Sequence, residues 1–370
     1  MFTKSQPLAP TPAYGARAPL FTFTLFAIIT ATPICGHAQS SVTLFGMVDV
    51  GVSRYVVSGV TQRTGMVSGN AGASRLGFRG TEDLGGGYAA SFWLEAGLDQ
   101  VGAGTPGGLA FQRRSTLSVS SPYGELRAGR DYVPTFWNSA LFDPFEARGA
   151  GQIRSYNNFA FSSIRVNNSL GYFLPKLGGL YGQLQYARGE KPSTAPNNRQ
   201  GDAYGARLGY SAGDLDVAVA YSEWKQAVGA SDVAPISTGR DLVMANIGAS
   251  YNLGVARLFA FVGEERVKEG PPGNSRLRSG MLGTRVPVGA GEVMFAYSRY
   301  EMKDSDNDFS KLSVGYRHWL SKRTMAYATA ARLRNGGQAA RALGLEGTSA
   351  VSPLVGRNAT GFDVGLRHSF

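Results

Sequence analysis

The stretch Gly361-Phe-Asp-Val-Gly-Leu-Arg-His-Ser-Phe370, which ends the 370-residue chain, decides the fold. Its apolar side chains alternate with polar or small ones: Phe362, Val364, Leu366 and Phe370 against Asp363, Gly365, Arg367 and Ser369. A period of two is typical of a β-strand that has one apolar and one polar face. The same rhythm recurs from Ser41 onward, so the chain must either pack two sheets together or close one sheet on itself.

The first 38 residues have the features of a cleavable signal peptide. Lys4 and Arg17 precede an apolar run over 19–35, and Gly36-His-Ala38 supplies small residues at the positions that a signal peptidase reads. The run is short, contains several Thr and two Pro, and so fits poorly the roughly 20 apolar residues of a spanning helix. We therefore predict a signal peptide over 1–38 and one folded unit over 39–370.

Composition excludes several classes of site. The single cysteine, Cys35, lies in the predicted leader after residues that fit a lipoprotein motif poorly, so the mature chain would have no disulfide and no thiolate metal site. The formal net charge of +11 becomes +9 when Lys4 and Arg17 leave with the leader. No basic helix or Lys/Arg run accompanies this charge, so we expect no nucleic-acid partner. A basic interior that attracts small anions accounts for the charge equally well.

Sixteen segments show the two-residue alternation, and no linker or change of pattern divides them. Most have the ten or so residues that a tilted strand needs to cross a bilayer. The predicted strands are 41–53, 73–81, 87–98, 111–120, 124–131, 165–174, 179–188, 202–212, 214–224, 241–252, 254–265, 276–287, 291–302, 309–320, 323–333 and 360–370.

The connections between these segments alternate in length. Seven short ones, such as Ser121-Pro-Tyr-Gly124 and Ser211-Ala-Gly-Asp214, have the residues of tight turns. Eight long ones are rich in Gly, Ser, Asn and charged residues. A soluble sandwich has no reason to collect its long loops at one end, whereas a transmembrane barrel does. In hydrocarbon a sheet must close so that no edge is left unpaired, and sixteen strands enclose an aqueous channel.

The third long connection, 132–164, is unusually apolar for a surface loop. It contains seven large apolar side chains, which need burial: Phe136, Trp137, Leu141, Phe142, Phe145, Phe159 and Phe161. Folding into the barrel against its wall would bury them and would bring Asp143 and Glu146 near the channel axis. The alternative is a loop that packs over a neighbouring subunit.

Several motifs, taken in order, resemble the trimeric general porins of Gram-negative outer membranes. They are Ser41-Val-Thr-Leu-Phe-Gly46, Ser74-Arg-Leu-Gly-Phe-Arg-Gly-Thr-Glu-Asp-Leu-Gly-Gly-Gly87, Gly129-Arg130, Asp143-Pro144-Phe145, Leu320-Ser-Lys-Arg-Thr324 and the terminal Phe370. The resemblance covers 40–370. It implies an all-β fold, a transmembrane 16-stranded antiparallel β-barrel whose third extracellular loop folds inward, and a homotrimer in the outer membrane.

The resemblance also implies a set of pore residues. In that family an arginine cluster on the wall faces acidic residues of the third loop. The matching wall positions are Arg75, Arg113 and Arg165, with Arg79 on the face of Arg75 and Arg114 beside Arg113; either Arg113 or Arg114 could point inward, because a shift of one residue changes the face. The matching loop carboxylates are Asp143 and Glu146, and Arg148 and Arg154 lie in the same loop.

The function implied is passive diffusion of small hydrophilic solutes and inorganic ions. Because rings of arginine favour anions, we predict a weak to moderate anion preference. The further partners implied are outer-membrane lipid, lipopolysaccharide and the barrel-assembly machinery, with Phe370 as the C-terminal signal for barrel closure. The alternative is a barrel that is non-conducting or substrate-selective and acts as an adhesin or receptor through its long surface loops.

No catalytic or cofactor site is expected. Gly102-Ala-Gly-Thr-Pro-Gly107 matches G-x-G-x-x-G, but no helix or βαβ unit follows it. The mature histidines, His318 and His368, lie within strands and have no obvious serine partner for nucleophilic catalysis. Asp304, Asp306 and Asp308 alternate in a short loop, where a solvated acidic loop is favoured over a calcium site.

Overall fold

The computed structural model describes residues 41–59, 61–98, 109–153, 164–226, 240–268, 275–303, 305–343 and 354–370. The predicted signal peptide, the G-x-G-x-x-G match, Arg154, Phe159, Phe161 and Asp304 lie outside the described residues. Almost every described segment is a strand, in agreement with the alternation of the sequence. No helix among the described residues is long and apolar enough to cross a membrane.

Seventeen strand segments and one helix in the third long loop make up the described fold. The helix is α1 (Pro134–Leu141). The strands are β1 (Ser41–Val57), β2 (Thr61–Ser68), β3 (Arg75–Gly85), β4 (Tyr88–Gly97), β5 (Arg114–Ser121), β6 (Gly124–Tyr132), β7 (Arg165–Phe173), β8 (Leu180–Ala187), β9 (Ala203–Ala212), β10 (Leu215–Trp224), β11 (Leu242–Asn252), β12 (Arg257–Val267), β13 (Ser275–Val288), β14 (Gly291–Met302), β15 (Phe309–Trp319), β16 (Thr324–Asn335) and β17 (Ala359–Ser369).

The sheet closes into a barrel of sixteen strands. From β3 to β17 each strand pairs antiparallel with the next one in sequence, and β1 pairs with β17 from Met47↔Ser369 to Val57↔Ala359. The segments β2 and β3 share one place in the barrel, because β2 pairs with the second half of β1 and β3 with its first half. All sixteen predicted strands are therefore confirmed, while β2 lies inside what the sequence predicted as a loop over 54–72.

The break between β2 and β3 is held inside the barrel by an aspartate of β1. The Asp49 carboxylate accepts the backbone N–H groups of Ala71 at 2.6 Å and Gly72 at 2.7 Å, and the Tyr327 hydroxyl donates to it at 2.6 Å. Asp49 is fully buried. Since a buried carboxylate needs such donors, this aspartate folds residues 69–74 toward the lumen and interrupts the second barrel strand.

The two faces of the wall follow the alternation. On β1, Leu44 and Val52 are 53% and 51% exposed on the outside, while Asp49 and Ser53 are buried inside. This is the inverse of a soluble core, because the apolar side chains face out and the polar ones face in. Two tyrosines also face inward: the hydroxyl of Tyr300 donates to Ile153 O of the third loop, and that of Tyr181 donates to Asp216 on the inner face.

A bulge changes the face of β7 near its start. The register shifts between Gly129 and Asp131 of β6, and Asn168 opposite has a positive φ of 48°. Leu170 is exposed as predicted, but Val166 is buried against the third loop. A strict period of two over the predicted strand 165–174 would place Val166 on the outer face together with Leu170. This expectation is wrong, because the bulge adds a residue to the period of two.

Candidate functional site

The third long loop lies along the inner face of the wall, beginning with helix α1. Thr135 Oγ1 donates to Ser222 Oγ at 3.0 Å, and Asn138 Nδ2 donates to Ala218 O at 3.0 Å. Arg207 Nε donates to Asn138 Oδ1 at 2.6 Å. Ala218 and Ser222 alternate with exposed side chains of β10, so they face the lumen. The helix is thus fastened to inward-facing groups of β9 and β10.

Beyond the helix the loop packs its aromatic residues into gaps in the wall. Phe142 and Phe145 are almost fully buried. A Cβ added to Gly248 would collide with the Phe142 ring, and one added to Gly283 would collide with Pro144. Because these two glycines have no side chain, the wall has room for the loop at both positions. Phe159 and Phe161 lie outside the described residues, and Leu141 is 46% exposed, so burial holds for part of the predicted apolar set.

The last described part of the loop reaches the strands near the barrel seam. The backbone N–H of Ala150 donates to Asp363 Oδ2 at 2.7 Å. The same carboxylate accepts the hydroxyls of Ser53 at 2.6 Å and Tyr55 at 2.7 Å. Lys311 Nζ donates to Gln152 O. The loop therefore runs from β10 to β17 along the inside and is tied to the wall at both ends.

Asp143 was expected near the channel axis, but the structure buries it within the loop. It is 0% exposed, and its carboxylate accepts the N–H groups of Phe145 at 2.9 Å, Ala147 at 3.0 Å and Ile153 at 2.7 Å. Burial raises the pKa of the Asp143 carboxyl, although these hydrogen bonds oppose the shift. Its geometry is that of an internal brace, which holds the loop in a compact turn.

Glu146 is the loop carboxylate that is accessible, with 43% of its side chain exposed. Arg317 donates to it at 2.8 Å and Arg285 at 3.0 Å. Burial alone would raise the pKa of Glu146, but the positive charges of Arg317 and Arg285, together with the hydrogen bond from Arg317, lower it to about 2. The partners belong to β13 and β15, whereas the family resemblance suggested an arginine wall on β3, β5 and β7.

Arg75 and Arg113 share one carboxylate on the inner wall. Arg113 Nε lies 2.5 Å from Glu95 Oε1, and Arg75 Nε lies 3.7 Å from Glu95 Oε2. The side chain of Arg75 is 28% exposed and that of Arg113 is 11% exposed. Two guanidinium groups with one carboxylate leave a local excess of positive charge. The more exposed Arg75 presents that charge to the lumen.

Arg79 and Arg114 line a separate recess of about 430 Å³ on the inner wall. The Arg114 guanidinium lies 4.7 Å from the centre of the Trp93 ring, and that of Arg79 lies 5.4 Å from it. Arg114 Nε is 3.8 Å from Asp131. Arg113 and Arg114 thus both pair with carboxylates of the inner wall, Arg113 with Glu95 and Arg114 with Asp131. This is possible because Arg113 precedes β5 and does not follow its alternation.

Arg165 is nearly enclosed, with 5% of its surface exposed. It donates to the Tyr132 hydroxyl at 2.9 Å and stacks on the Tyr132 ring at 4.4 Å. Arg113 donates to the same hydroxyl at 3.1 Å, and the charge of Arg148 acts on it as well. Tyr132 therefore gathers three of the predicted arginines around one phenol. Arg148 is half-buried.

Three arginines that the prediction did not include complete a positive band. Arg285, Arg317 and Arg367 lie on the inner faces of β13, β15 and β17. Arg367 donates to Ala71 O at 3.0 Å and interacts electrostatically with both Arg317 and Arg75. The band thus continues from Arg75 across the barrel seam. Each of these three arginines occupies an inward-facing position in the alternation of its strand, so the sequence could have identified it as a wall residue. The alternation does not show which inward-facing residues contact one another.

Other chemistry has little support in the described part of the chain. Within it, no group of three or more His, Cys, Asp or Glu side chains is arranged to hold a metal ion. His318 and His368 hydrogen bond through Nδ1 to the Tyr316 hydroxyl at 3.1 Å and to Thr324 Oγ1 at 2.9 Å. Neither contact forms a pair of nucleophile and base on the inner wall.

Comparison with known proteins identifies similar chains over nearly the whole length. A family model described as Gram-negative porin matches residues 24–338. Outer membrane porin protein 32 of Delftia acidovorans is 39% identical over 342 residues, which cover 90% of this chain and 95% of that protein. An outer membrane porin protein of Bordetella pertussis is 27% identical, with 93% of this chain and 98% of that protein covered.

Solved structures give the same result. The anion-selective porin from Comamonas acidovorans superposes with a TM-score of 0.81 at 36% identity, covering 90% of this chain and all of that chain. OmpT of Vibrio cholerae in its trimer form superposes with a TM-score of 0.63 at 14% identity, covering 90% of this chain and 99% of that one. The second likeness, at such low identity, concerns the fold alone.

Proposed function

The chain belongs to the Gram-negative porin family, and from this premise we propose that it is a passive diffusion channel for small hydrophilic solutes and ions. Its location is the outer membrane of a Gram-negative bacterium. The diameter of a barrel grows with its number of strands. About eight strands enclose a space that side chains fill, so sixteen strands enclose a lumen wide enough for water. Solutes move through such a channel down their own gradient, so the protein needs only to set the width of the path and the charge along it.

The third loop is proposed to form the narrow part of the channel. Its contacts with Ser222, Gly248 and Asp363 support this role, because they draw the loop along the inner wall. Asp143 braces the loop from within, and Glu146 fastens it to Arg285 and Arg317. These hydrogen bonds hold the loop inside the lumen, where it reduces the open cross-section.

We propose a weak to moderate anion preference, and the observation that supports it most is the positive band on the inner wall. Four arginines lie on this wall, Arg75, Arg367, Arg317 and Arg285. Three carboxylates pair with them: Glu146 with Arg285 and Arg317, Glu292 with Arg317 at 3.5 Å, and Glu95 with Arg75 at 3.7 Å. An anion entering the narrow region meets unbalanced positive charge, whereas a cation is repelled. The name of the Comamonas acidovorans relative, an anion-selective porin, agrees with this.

Planar-bilayer recordings test both parts of the proposal. Refolded protein should show stepwise, ohmic conductance. In a KCl gradient its reversal potential should have the sign that indicates a preference for chloride over potassium. Absence of conductance steps would favour the non-conducting barrel. A current that saturates as the concentration of one class of solute increases would favour the substrate-selective barrel. A reversal potential of the opposite sign would reject the anion preference while leaving the channel function intact.

The remaining expectations are proposals of the same kind. We propose that the chain assembles as a homotrimer, that residues 1–38 are removed as a signal peptide, and that the barrel-assembly machinery recognises the end of the chain at Phe370. Chemical cross-linking of detergent-extracted protein tests the trimer. N-terminal sequencing of the protein from outer membranes tests cleavage after Ala38.

A further inference from the structure

The recess of about 430 Å³ on the inner wall lies between the positive band and the short-turn end of the barrel. Arg79 lies four residues along β3 from Arg75, which places it about 13 Å nearer to the short turn at 86–87. No described residue of the third loop lines the recess. It is therefore a part of the lumen wall that is separate from the proposed narrow region.

Strand register places two rows of inward side chains in the recess. Ser41 and Thr43 share the inward side of β1 with the buried Asp49, and the pairing of the strands extends each row from there. The first row is Thr43, Arg79, Trp93 and Thr116. The second, two residues nearer to the short turns, is Ser41, Thr81, Ser91, Ser118 and Arg127. The recess therefore presents a band of hydroxyl groups with an arginine in each row.

Arg79 is exposed in this recess and lies between two aromatic rings. Its guanidinium is 5.4 Å from the centre of the Phe45 ring and 5.4 Å from that of the Trp93 ring, and the two ring centres are 4.8 Å apart. Cation–π contacts orient a guanidinium without neutralising its charge. Within the part of the chain that the structure describes, the Arg79 side chain has no ion pair and no hydrogen bond. Its N–H donors are thus open to an anion.

The other charges around the recess balance one another. Arg127 lies 2.9 Å from Glu125 and 2.8 Å from Asp131, and Asp131 also lies 3.8 Å from Arg114. These are two arginines and two carboxylates, so Arg79 is the surplus charge. A single surplus positive charge matches a ligand that has one carboxylate.

The hydroxyl groups beside Arg79 have hydrogen-bonding capacity left for a ligand. Thr81 and Ser91 share one hydrogen bond at 3.0 Å. Thr43 is exposed, and its side chain has no hydrogen bond to any described residue. Each hydroxyl has one donor and two acceptor sites, so these three can both donate to and accept from the hydroxyl groups of a ligand. A carboxylate alone only accepts, and it would leave the acceptor sites unused.

We propose that the recess binds an acidic monosaccharide, that is, a sugar ring that carries one carboxylate. The carboxylate accepts paired, charge-assisted hydrogen bonds from Arg79, and the ring hydroxyls exchange hydrogen bonds with Thr43, Thr81 and Ser91. The volume of the recess is within the range of small-molecule sites. Because the recess lies in the wall, the bound sugar lies beside the ion path. The inference rests on the proposed function in that solutes reach the recess through the lumen.

Isothermal titration calorimetry of glucuronate with the refolded mature protein in detergent tests the proposal. The titration is made at low salt, because salt screens the attraction to Arg79. Wild type should bind glucuronate saturably. Glucose lacks the charge and acetate lacks the hydroxyls, so each should bind at least about tenfold more weakly, since each loses one of the two kinds of contact.

Arg79→Gln tests the role of the charge. It should weaken glucuronate binding by about tenfold or more, which corresponds to the loss of one charge-assisted hydrogen bond. The matched control is Arg63→Gln, which removes an exposed arginine from the long-loop end of the wall. Arg63 pairs with Tyr55, whose hydroxyl contacts the inward Asp363, so it lies on the inner face as well. The control should bind glucuronate like the wild type.

Thr43→Val/Thr81→Val tests the role of the hydroxyls at constant charge. Valine keeps the shape of threonine but can neither donate nor accept a hydrogen bond. The affinity for glucuronate should decrease toward that for acetate, because the charged contact with Arg79 remains. Heat-modifiable gel mobility shows whether each variant is folded, which separates loss of the ligand contact from loss of the barrel.

Equal affinity of wild type and folded Arg79→Gln for glucuronate would overturn the proposal, and so would equal affinity of wild type for glucuronate and acetate. Calorimetry does not require conduction. Stepwise conductance without saturable glucuronate binding would therefore reject the recess as a sugar site and leave the channel function intact. Saturable binding without conductance steps would contradict the channel function alone.

Discussion

Phe370 and Gly46 exchange two backbone hydrogen bonds, with Gly46 N donating to Phe370 O at 3.0 Å and Phe370 N donating to Gly46 O at 3.1 Å. The Phe370 ring covers the Gly46 α-carbon so closely that a Cβ there would collide with it. The last residue of the chain is thereby joined to the first strand. The pair forms the short-turn end of the seam at which the barrel closes.

Removal of Phe370 should therefore weaken closure more than removal of its ring alone. Deletion of the residue loses both hydrogen bonds and the ring contact, whereas Phe370→Ala keeps the hydrogen bonds and loses about 1–2 kcal/mol of apolar contact. The folded fraction after refolding into detergent, measured by heat-modifiable gel mobility, should decrease from wild type to Phe370→Ala to the deletion. Leu366→Ala on the same face is the control and should have the smallest effect. Equal yields for all four proteins would contradict the role of this pair.

Loss of the charge on Glu146 should increase the anion preference. Glu146→Gln leaves Arg285 and Arg317 without their shared loop carboxylate, so the unbalanced positive charge at the loop increases. The reversal potential in a KCl gradient should shift farther toward the chloride value. Glu82→Gln removes one carboxylate from the exposed outer face of β3 and should cause no shift. A shift toward potassium in Glu146→Gln would show that this carboxylate does not act on the ion path.

The same residue predicts a pH dependence of stability. The folded pKa of Glu146, about 2, is below its ordinary value of 4.5, because Arg317 and Arg285 favour the charged form. Its stabilising contribution is therefore present above pH 4.5 and is lost as the pH falls through about 2. The difference in urea midpoint between wild type and Glu146→Gln should be constant from about pH 7 to 5 and decrease between pH 4.5 and 2. Equal urea midpoints for wild type and Glu146→Gln at neutral pH would contradict the stabilising role of the charged Glu146.

Arg75 and Arg165 should differ in their influence on ion selectivity. Arg75 is partly exposed and shares Glu95 with Arg113, whereas Arg165 is enclosed against Tyr132. Arg75→Ala should reduce the chloride preference clearly, and Arg165→Ala should reduce it less. Both reversal potentials are measured beside that of Lys322→Ala, whose charge lies in a short turn. If neither arginine variant differed from this control, the assignment of the arginine cluster to the ion path would be wrong.

Asp143 should act on the loop rather than on selectivity directly. Asp143→Ala leaves three buried N–H groups without an acceptor, and each such group costs about 1–3 kcal/mol. The loop should loosen, so that single-channel currents become noisier and on average larger. Asp83→Ala removes an aspartate that accepts one N–H in an exposed turn and should leave the currents unchanged. Quiet, wild-type currents in Asp143→Ala would contradict the bracing role.

The sequence by itself determined the strands, the two faces of the wall and the closure of the sheet. Alternation with a period of two is a local property, and Leu44, Asp49 and Leu170 all lie on the faces it predicts. The inversion of polarity and the grouping of long loops then require lipid outside and water inside. The arginine candidates could be found in the same way, because the alternation shows which residues of a strand face inward.

Only the tertiary structure decided which charges meet. Glu146 pairs with Arg317, which is 171 residues away, and no local pattern relates them. The burial of Asp143 depends on a loop that bends back on its own backbone, and the buried position of Val166 depends on a bulge that breaks the period of two. Alternation specifies a face, but the partner across the lumen is set by strand register, loop path and bulges, which combine distant parts of the chain.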